Sequence, residues 1–416
     1  MAGVSTLWQP YGLSGNPFFQ AELRVGEGGH PISLFVGREE ELRRAGRRMA
    51  SDDATRTIVE GAAGVGKTSF VNRLKVQMAA AGAATYDRPI RIESGTTRAS
   101  FVADVLRTLL RIRLGLGLSN ASGVWAKSVR LLEGEDLVGA NVSIMGVGGG
   151  VSRGYVAPQL PADSLFEHLG SALEQMTAEL EAPVVLHVNN LESLALDDVQ
   201  RAARLLLDLR DYLLIPGAHW IFVGTSGIED AVFRAHDQVS GIFPQALVLD
   251  PLPPAVVEAL IALRYGHLAL PRAAVTAPVE PAVAARLYSL YQGDLRNFLR
   301  LLSEASEVLL GVHGVRPMEE DEIRRFGAVE YERKVRARLG EDDFQHLGRI
   351  VEHARGGEVR VTDAMKATKL KQSSASLLFQ RLEEKRAIRP TRTEGRSRYY
   401  RPLGDVLVAF GVAPEA

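Results

Sequence analysis

Residues Gly61–Thr68 read GAAGVGKT, and this stretch decides the fold of the chain. Gly61, Gly66, Lys67 and Thr68 fill the fixed positions of the phosphate-binding loop pattern GxxxxGK(S/T). Glycines allow consecutive backbone N–H groups to turn toward phosphate oxygens, which a side chain would block. The pattern places the Lys67 ammonium at the β- and γ-phosphates and the Thr68 hydroxyl at a magnesium ion. The predicted nucleotide-binding residues of the loop are Gly61, Ala62, Ala63, Gly64, Val65, Gly66, Lys67, Thr68 and Ser69.

The sequence on either side of the loop has strand and helix character. Thr57–Glu60 (TIVE) is rich in β-branched residues, and Ser69–Ala79 has helical apolar spacing. The loop therefore joins a strand to a helix N-terminus, which favours an anion. Further strands are predicted at 89–93, Val184–Asn189 and Trp220–Thr225, and helices at Ser100–Leu114, Leu165–Leu180 and Asp197–Leu214. Apolar strands separated by helices predict a parallel sheet covered on both faces.

Length and composition limit the classes of protein that this chain can be. Its 416 residues predict two or three domains. The sequence has no cysteine, which excludes disulfides and thiolate metal sites, and its nine histidines lack ligand spacing. No apolar run reaches the ~18 residues of a membrane span, and Met1–Gly12 lacks the features of a signal peptide. We therefore expect a cytoplasmic protein with no membrane partner.

Charge is distributed unevenly along the chain. The net charge is −1, but Val359–Arg401 contains 12 Lys and Arg residues against 4 Asp and Glu residues. Such an asymmetry predicts a basic, nucleic-acid-binding module attached to a mildly acidic body.

Two amides stand where a phosphate-loop ATPase normally carries acids. In such ATPases one acid at the end of the third core strand holds the magnesium ion, and a second polarises the attacking water. Here the strand Val184–Val188 leads into Asn189, Asn190 and then Glu192. Asn189 can still hydrogen-bond a magnesium-bound water, whereas Asn190 cannot accept a proton. Either Glu192 is a displaced catalytic base, or hydrolysis is slow and the protein is a binding switch; we expect slow hydrolysis.

These motifs, with others in the same order, make the chain resemble the AAA+ ATPases, specifically the archaeal and eukaryotic replication initiators and their bacterial relatives. VGREEEL at Val36–Leu42 resembles the entry motif of that branch, which implies contacts of Val36 and Arg38 with the nucleotide base. GDLRNFLRLL at Gly293–Leu302 is similar to the second sensor, which implies that Arg296 lies over the phosphates.

The stretch after the fourth core strand carries two further implied roles. WIFVGTSG at Trp220–Gly227 resembles that strand, so Thr225 or Ser226 is the implied sensor of the γ-phosphate. The family also uses an arginine finger that reaches a neighbouring subunit, and Arg234 is the candidate here. The predicted catalytic residues are Asn189, Asn190, Glu192, Thr225 and Arg296.

The resemblance implies three domains. A nucleotide-binding core spans residues 1–250 and includes a glycine-rich insertion at about 115–160, a helical lid spans 251–315, and a DNA-binding domain spans 316–416. Within the insertion, the alternation and triple glycine of Asn141–Tyr155 predict a hairpin. This hairpin is either a loop that contacts DNA or a neighbouring subunit, or a surface excursion without a partner.

The C-terminal segment resembles a winged-helix DNA-binding domain. Helices are predicted at Phe344–His353, at Val361–Ala367 with Thr362 or Asp363 as cap, and at Gln372–Lys385. A basic hairpin follows, with its turn near Glu394 and Gly395. On the third helix, Leu377, Leu378, Phe379 and Leu382 are predicted to pack inward. The predicted DNA-contact residues are Lys371, Ser373, Ser374, Ser376, Gln380, Arg381, Arg392, Arg396 and Arg398.

The expected fold class is therefore α/β, with a phosphate-loop AAA+ core on a parallel sheet, a helical lid and a C-terminal winged helix-turn-helix domain. The expected ligands are ATP or ADP with Mg2+. The expected partners are double-stranded DNA and either a second copy of the chain, bound in a nucleotide-dependent way, or another protein. We expect a nucleotide-gated DNA-binding switch. The alternatives are an ATPase that regulates transcription in signalling, and an adaptor that assembles with ATP on DNA in transposition or defence.

Overall fold

The computed structural model describes residues 7–24, 30–132, 162–193, 199–234, 237–394 and 397–412. The predicted hairpin at Asn141–Tyr155 and the predicted DNA-contact residue Arg396 lie outside these residues. The chain forms two compact units, Glu22–Asp250 and Met1–Ala21 with Pro251–Ala416. We call the first the core unit and the second the C-terminal unit.

The core unit is built on a six-stranded parallel sheet. Two short strands, β1 (Leu23–Arg24) and β2 (His30–Pro31), form a separate pair. The sheet strands are β3 (Arg56–Gly61), β4 (Ala84–Thr85), β5 (Ile90–Arg91), β6 (Val184–Asn189), β7 (Ala218–Thr225) and β8 (Leu247–Leu249). Their order is β4-β6-β7-β3-β8, with β5 paired to β6. This arrangement confirms the predicted parallel α/β fold of the core.

Helices cover both faces of the sheet because its inner strands are apolar on both sides. Leu186 and Phe222 contribute to one hydrophobic cluster, while their neighbours Val185 and Ile221 contribute to another. The first cluster includes residues of α3 and α5, and the second includes residues of α1 and α2. In chain order the helices are α1 (Glu39–Met49), α2 (Lys67–Ala80), α3 (Arg98–Gly115), α4 (123–132), α5 (Ala162–Leu180), α6 (Val199–Leu209) and α7 (Asp237–Ser240).

The first residues of the predicted insertion belong to the core. Trp125 of α4 is 1% exposed and lies in the cluster with α3 and α5. Its Nε1–H donates to Glu179 at 3.3 Å, and the Arg113 guanidinium lies 4.2 Å from its ring centre. The helix predicted at Asp197–Leu214 ends earlier, at Leu209, and a 3-10 turn follows at Tyr212–Leu214.

The C-terminal unit is helical apart from one antiparallel hairpin. Its helices are α8 (Pro254–Leu268), α9 (Pro281–Ser289), α10 (Leu295–Leu309), α11 (Glu320–Leu339), α12 (Glu341–His353), α13 (Val361–Thr368), α14 (Gln372–Glu384) and α15 (Gly404–Ala409). The hairpin pairs β9 (Ile388–Glu394) with β10 (Ser397–Pro402). Across the described residues of both units, no helix combines the length and apolar character needed to cross a bilayer.

One hydrophobic cluster runs through the described residues of the C-terminal unit and crosses the predicted boundary between lid and DNA-binding domain. Leu299 of the predicted lid and Leu347 of the predicted 316–416 domain belong to the same cluster. The cluster also contains Trp8 and Phe18, so residues 7–21 pack with this unit and not with the rest of the predicted 1–250 domain. Burial of these aromatic side chains is the physical reason why residues 7–21 pack with the C-terminal unit.

Two details of the C-terminal helices differ from the sequence predictions. Helix α13 has Arg360 as its N-cap residue, and Asp363 at the third helical position accepts the Arg360 N–H at 3.1 Å, so neither Thr362 nor Asp363 is the cap. On α14, Leu377 is 56% exposed, whereas Leu378, Phe379 and Leu382 are buried as predicted. Leu377 lies outside the stripe that helical periodicity directs toward the core.

Candidate functional site

The phosphate loop is shaped by glycines at positions that need them. Gly64 and Gly66 have φ angles of 79° and 96°, and Gly66 is the N-cap residue of α2. A Cβ atom on Gly66 would meet no atom of the described residues within 4 Å, so the loop leaves open space there. A Cβ atom on Gly61 would lie 2.7 Å from the Leu249 carbonyl oxygen, so packing against β8 requires glycine at that position.

Lys67 lies against its own loop. Its ammonium donates to the carbonyl oxygens of Gly61 at 2.8 Å and Ala62 at 3.0 Å. This places a positive charge at the N-terminus of α2, where the helix dipole also favours an anion. The local geometry is therefore suited to a phosphate group.

The Arg38 side chain is hydrogen-bonded to the phosphate loop. It is 8% exposed, and its Nη2 donates to the carbonyl oxygens of Val65 at 3.2 Å and Asp250 at 2.6 Å. Its Nη1 donates to Glu41 at 3.1 Å. The sequence analysis assigned Arg38 and Val36 to the nucleotide base; the structure shows that the Arg38 guanidinium is hydrogen-bonded to protein acceptors. The contacts of both residues with the base stay predictions.

The predicted catalytic residues of the core meet at one edge of the sheet. Gly61 pairs in register with Thr225, and Asn189 pairs with Val223, so β3, β7 and β6 end close together at the loop. Asn189 and Thr225 are half-buried, whereas Ser226 is exposed. Carboxyl ends of parallel strands are the usual place of ligand sites in such sheets.

The amide pair has a defined geometry. Asn190 has a φ angle of 65°, and its N–H donates to the Asn189 Oδ1 at 3.0 Å. Glu192 follows and is half-buried, and its Oε2 is buried without a hydrogen-bond partner among the described residues. A buried carboxylate oxygen without a donor is costly.

The phosphate loop and the end of β6 carry oxygen donors of the type that Mg2+ prefers. They are the Thr68 hydroxyl in the first turn of α2, the Asn189 amide oxygen and the Glu192 carboxylate, all of the hard type that Mg2+ prefers. Ser69 is committed elsewhere, because its hydroxyl accepts the Leu23 N–H of β1 at 3.1 Å.

Glu60 is a residue of the site that the sequence analysis missed. Its carboxylate accepts the Glu229 N–H at 3.3 Å, and Glu229 in turn accepts the Ala246 N–H at 2.9 Å. Burial, with the nearby Glu229 charge, raises the pKa of Glu60 above its ordinary value. Glu60 therefore links the strand before the phosphate loop to the segment after Thr225. The available signal was a carboxylate at the end of the apolar run TIVE.

Two implied arginines differ in their surroundings. Arg234, the candidate finger, forms ion pairs with Glu229 and Asp230 of its own unit. Arg296 is exposed near the start of α10 in the C-terminal unit, where Asp294 caps the helix. Their roles toward a neighbouring subunit and toward the phosphates stay predictions.

The predicted DNA-contact residues lie on α14 and the hairpin. Five of the predicted DNA-contact residues at or on α14 have exposed side chains, namely Lys371, Ser373, Ser374, Ser376 and Gln380. Arg381 pairs with Asp343 at 2.7 Å, and Arg398 of β10 pairs with Glu383 at 2.9 Å. The backbone of Arg392 lies opposite Tyr399 in the hairpin. Small polar side chains are therefore exposed on α14, and Arg398 of the hairpin contacts the same helix through Glu383.

Known proteins share the fold at low sequence identity. Residues 34–215 match a family model described as an AAA ATPase domain. The Walker-type ATPase PABY2304 of Pyrococcus abyssi has a TM-score of 0.53 at 14% identity, and the match covers 95% of this chain and 100% of that one. No curated protein matches the chain.

Two ORC proteins of Aeropyrum pernix are also similar. The Orc1 protein, solved in complex with DNA, has a TM-score of 0.47 at 15% identity, with 91% of this chain and 92% of that one covered. The ORC2 protein, solved in ADPNP–ADP complexes, has a TM-score of 0.48 at 14% identity, with 95% and 96% covered.

Proposed function

We propose that this protein is a nucleotide-gated switch that binds double-stranded DNA and hydrolyses ATP slowly. Its residues 34–215 match an AAA ATPase domain, which supports the nucleotide-binding part of this proposal. The observation that carries the proposal is a complete phosphate loop after β3 together with an amide pair at the end of β6, which β7 separates from β3 in the sheet. Such a site holds a nucleotide firmly and lacks the usual groups that cleave it.

The nucleotide proposed is ATP or ADP with magnesium. Lys67 would exchange its two carbonyl partners for phosphate oxygens, and backbone N–H groups of the loop would donate to the same phosphates. Thr68, with Asn189 through water, would hold the magnesium ion. When bound, that ion neutralises phosphate charge.

Slow hydrolysis follows from the chemistry of the strand end. An amide at position 190 cannot take a proton from water, and the Asn189 amide adds no negative charge near the metal. Glu192 is the nearby carboxylate that could act as base in its place. The proposal therefore gives ATP the role of a signal.

The proposed DNA-binding module is a winged helix made of α12, α13, α14 and the β9–β10 hairpin. The exposed serines and Gln380 of α14 would approach base edges in a major groove. Arg392, Arg396 and Arg398 would contact phosphates or the minor groove from the hairpin. The excess of basic residues in Val359–Arg401 supports this assignment.

The nucleotide assignment is tested by Lys67→Ala. Removing a charge-assisted contact to phosphate is expected to weaken ATP binding roughly 10- to 100-fold, measured by calorimetry with Mg–ATP. Arg47→Ala is the matched control, because it removes an equal charge from the exposed surface of α1. Equal affinity in wild type and Lys67→Ala would reject the site.

A further inference from the structure

A turn in the C-terminal unit contacts both the helix that carries Arg296 and the hairpin proposed to bind DNA. Residues 290–294 join α9 to α10, the helix that carries Arg296. Gln292 and Gly293 both have positive φ angles, 47° and 94°, so the backbone here adopts a conformation that few sequences allow. The last residue of the turn, Asp294, caps α10 with its side chain, so the turn is attached to that helix.

The turn packs against Pro251, the residue at which the chain passes from the core unit into the C-terminal unit. A Cβ atom on Gly293 would lie 2.6 Å from the Pro251 Cγ, so only glycine permits this approach. The Leu252 N–H donates to the Tyr288 hydroxyl of α9 at 3.2 Å. The entry residues are therefore attached to the same helices as the turn.

The residue before Pro251 is attached to the phosphate loop within the core unit. The Asp250 carbonyl accepts Arg38 Nη2 at 2.6 Å, and the same nitrogen donates to the Val65 carbonyl of the loop. Asp250 is the last residue of the core unit, so this unit ends at a residue bonded to the arginine that also contacts the phosphate loop.

On another side the turn contacts the hairpin and α15. Arg389 of β9 donates from Nη2 to the Gln292 carbonyl at 3.3 Å. Asp294, which is 7% exposed, caps α10 by accepting the Asn297 N–H at 3.0 Å. Burial raises the pKa of Asp294, while the charges of Arg389 and Arg296 oppose that rise. A Cβ atom on Gly404 would lie 2.3 Å from Tyr291 Cδ1, so α15 also begins against the turn.

We propose that Arg389 is a positioning residue that couples the Arg296 helix to the DNA-binding hairpin. A displacement of α10 moves the Gln292 carbonyl and the Asp294 carboxylate, and Arg389 transmits that displacement to β9. Nucleotide at the phosphate loop and duplex DNA at the hairpin then change each other's affinity by the same factor, as linkage requires. The inference rests on the proposed function, which assigns the hairpin to DNA, and on the prediction from the sequence that Arg296 lies over the phosphates.

The experiment compares the full chain with Arg389→Met and Arg401→Met. For each protein the duplex dissociation constant is measured with ADP and with a non-hydrolysable ATP analogue, and their ratio is the coupling factor. We expect a factor on the order of 5 to 150 in the wild type and a fall toward unity in Arg389→Met. Arg401 lies opposite Arg389 in the hairpin register and pairs with Glu358, so Arg401→Met removes the same charge and should keep the wild-type factor.

A reciprocal measurement separates coupling from a simple loss of charge. Saturating duplex should shift nucleotide affinity in the wild type, and Arg389→Met should abolish this shift while nucleotide affinity without DNA is unchanged. Asp294→Asn keeps the helix cap, because Asn caps as well as Asp, but removes the charge that attracts Arg389. It should lower the coupling factor too, and it replaces Arg389→Met if that variant fails to fold.

The possible outcomes distinguish the inference from the function. If the wild type shows coupling and both Arg389→Met and Asp294→Asn retain it, the role of Arg389 is overturned and the switch stands. If the wild type binds ATP and duplex with no mutual effect, the gated function and the inference are both overturned. Equal loss of coupling in Arg401→Met would also overturn the role of Arg389, because charge alone would then be responsible.

Discussion

At the end of β6, the conformation of Asn190 allows a direct test of slow hydrolysis. Its φ angle of 65° lies in the left-handed region, which Asn and Asp tolerate better than other side chains. Asn190→Asp therefore adds a carboxylate without a new backbone requirement. We expect phosphate release under saturating ATP to rise on the order of 100-fold, the lower range of general-base contributions. Lys67→Ala in the same background should remove the gain.

Glu192 provides the competing explanation at the same edge of the sheet. Its Oε2 lacks a hydrogen-bond partner among the described residues, and Glu192→Gln keeps its size while removing its basicity. Slow turnover in the wild type that is little changed by Glu192→Gln supports the switch. Fast wild-type turnover that this substitution abolishes would identify Glu192 as the base and would contradict slow hydrolysis.

The positions of single site residues were predictable where the residues of a motif are neighbours in the sequence. The phosphate loop and the Asn189–Asn190 pair each begin at the last residue of an apolar strand, so position along the chain predicted position in the sheet. The supporting roles of Arg38 and Glu60 were not predictable in this way. Their partners Asp250 and Glu229 lie 212 and 169 positions away, and no local pattern indicates such contacts.

At the scale of elements, the hairpin next to α14 should contribute phosphate contacts that carry no sequence information. The double substitution Arg396→Gln and Arg398→Gln should weaken binding to all duplexes alike. It should also reduce the slope of log affinity against log salt by about 1 per residue. Fluorescence anisotropy at several salt concentrations measures both effects.

The matched control changes two exposed arginines of α11 in the same unit. Arg325→Gln with Arg333→Gln removes an equal charge from a helix outside the proposed module. It should leave the salt slope close to that of the wild type. If both double variants flatten the slope equally, the unit binds DNA through its general charge, and the hairpin has no special part.

Elements with strong periodicity were the most predictable, and their ends were the least. The strands at Val184–Asn189 and the helix beginning at Gln372 have the predicted starts, because apolar runs define them. The N-cap residue of α13 differs from the prediction because the Asp363 carboxylate accepts the Arg360 N–H. The sequence alone does not determine which of several neighbouring polar residues forms this bond.

At the scale of the whole molecule, the assignment of residues 7–21 to the C-terminal unit could not be predicted from the sequence. The contacts that create it pair residues about 250 positions apart: Arg264 Nη1 donates to the carbonyl oxygens of Pro17 and Phe19, with separations of 247 and 245. The Arg264 guanidinium also lies 3.8 Å from the centre of the Phe19 ring. Burial lowers the pKa of Arg264 to about 9, so this buried cation depends on the acceptors that the N-terminal segment supplies.

Removal of residues 1–21 should therefore destabilise the C-terminal unit and spare the core unit. The deletion exposes the cavity that Phe18 fills and leaves the Arg264 cation without the Pro17 and Phe19 carbonyl oxygens. In the full chain, Phe18→Ala should cost about 3–5 kcal/mol as a graded version of the same loss, whereas the exposed Gln20→Ala should stay within about 0.5 kcal/mol. Limited proteolysis should cut the truncated protein within 251–416 first and leave ATP binding by Lys67 intact. If the truncated chain resists proteolysis within 251–416 as well as the full chain does, the C-terminal unit is stable without residues 1–21.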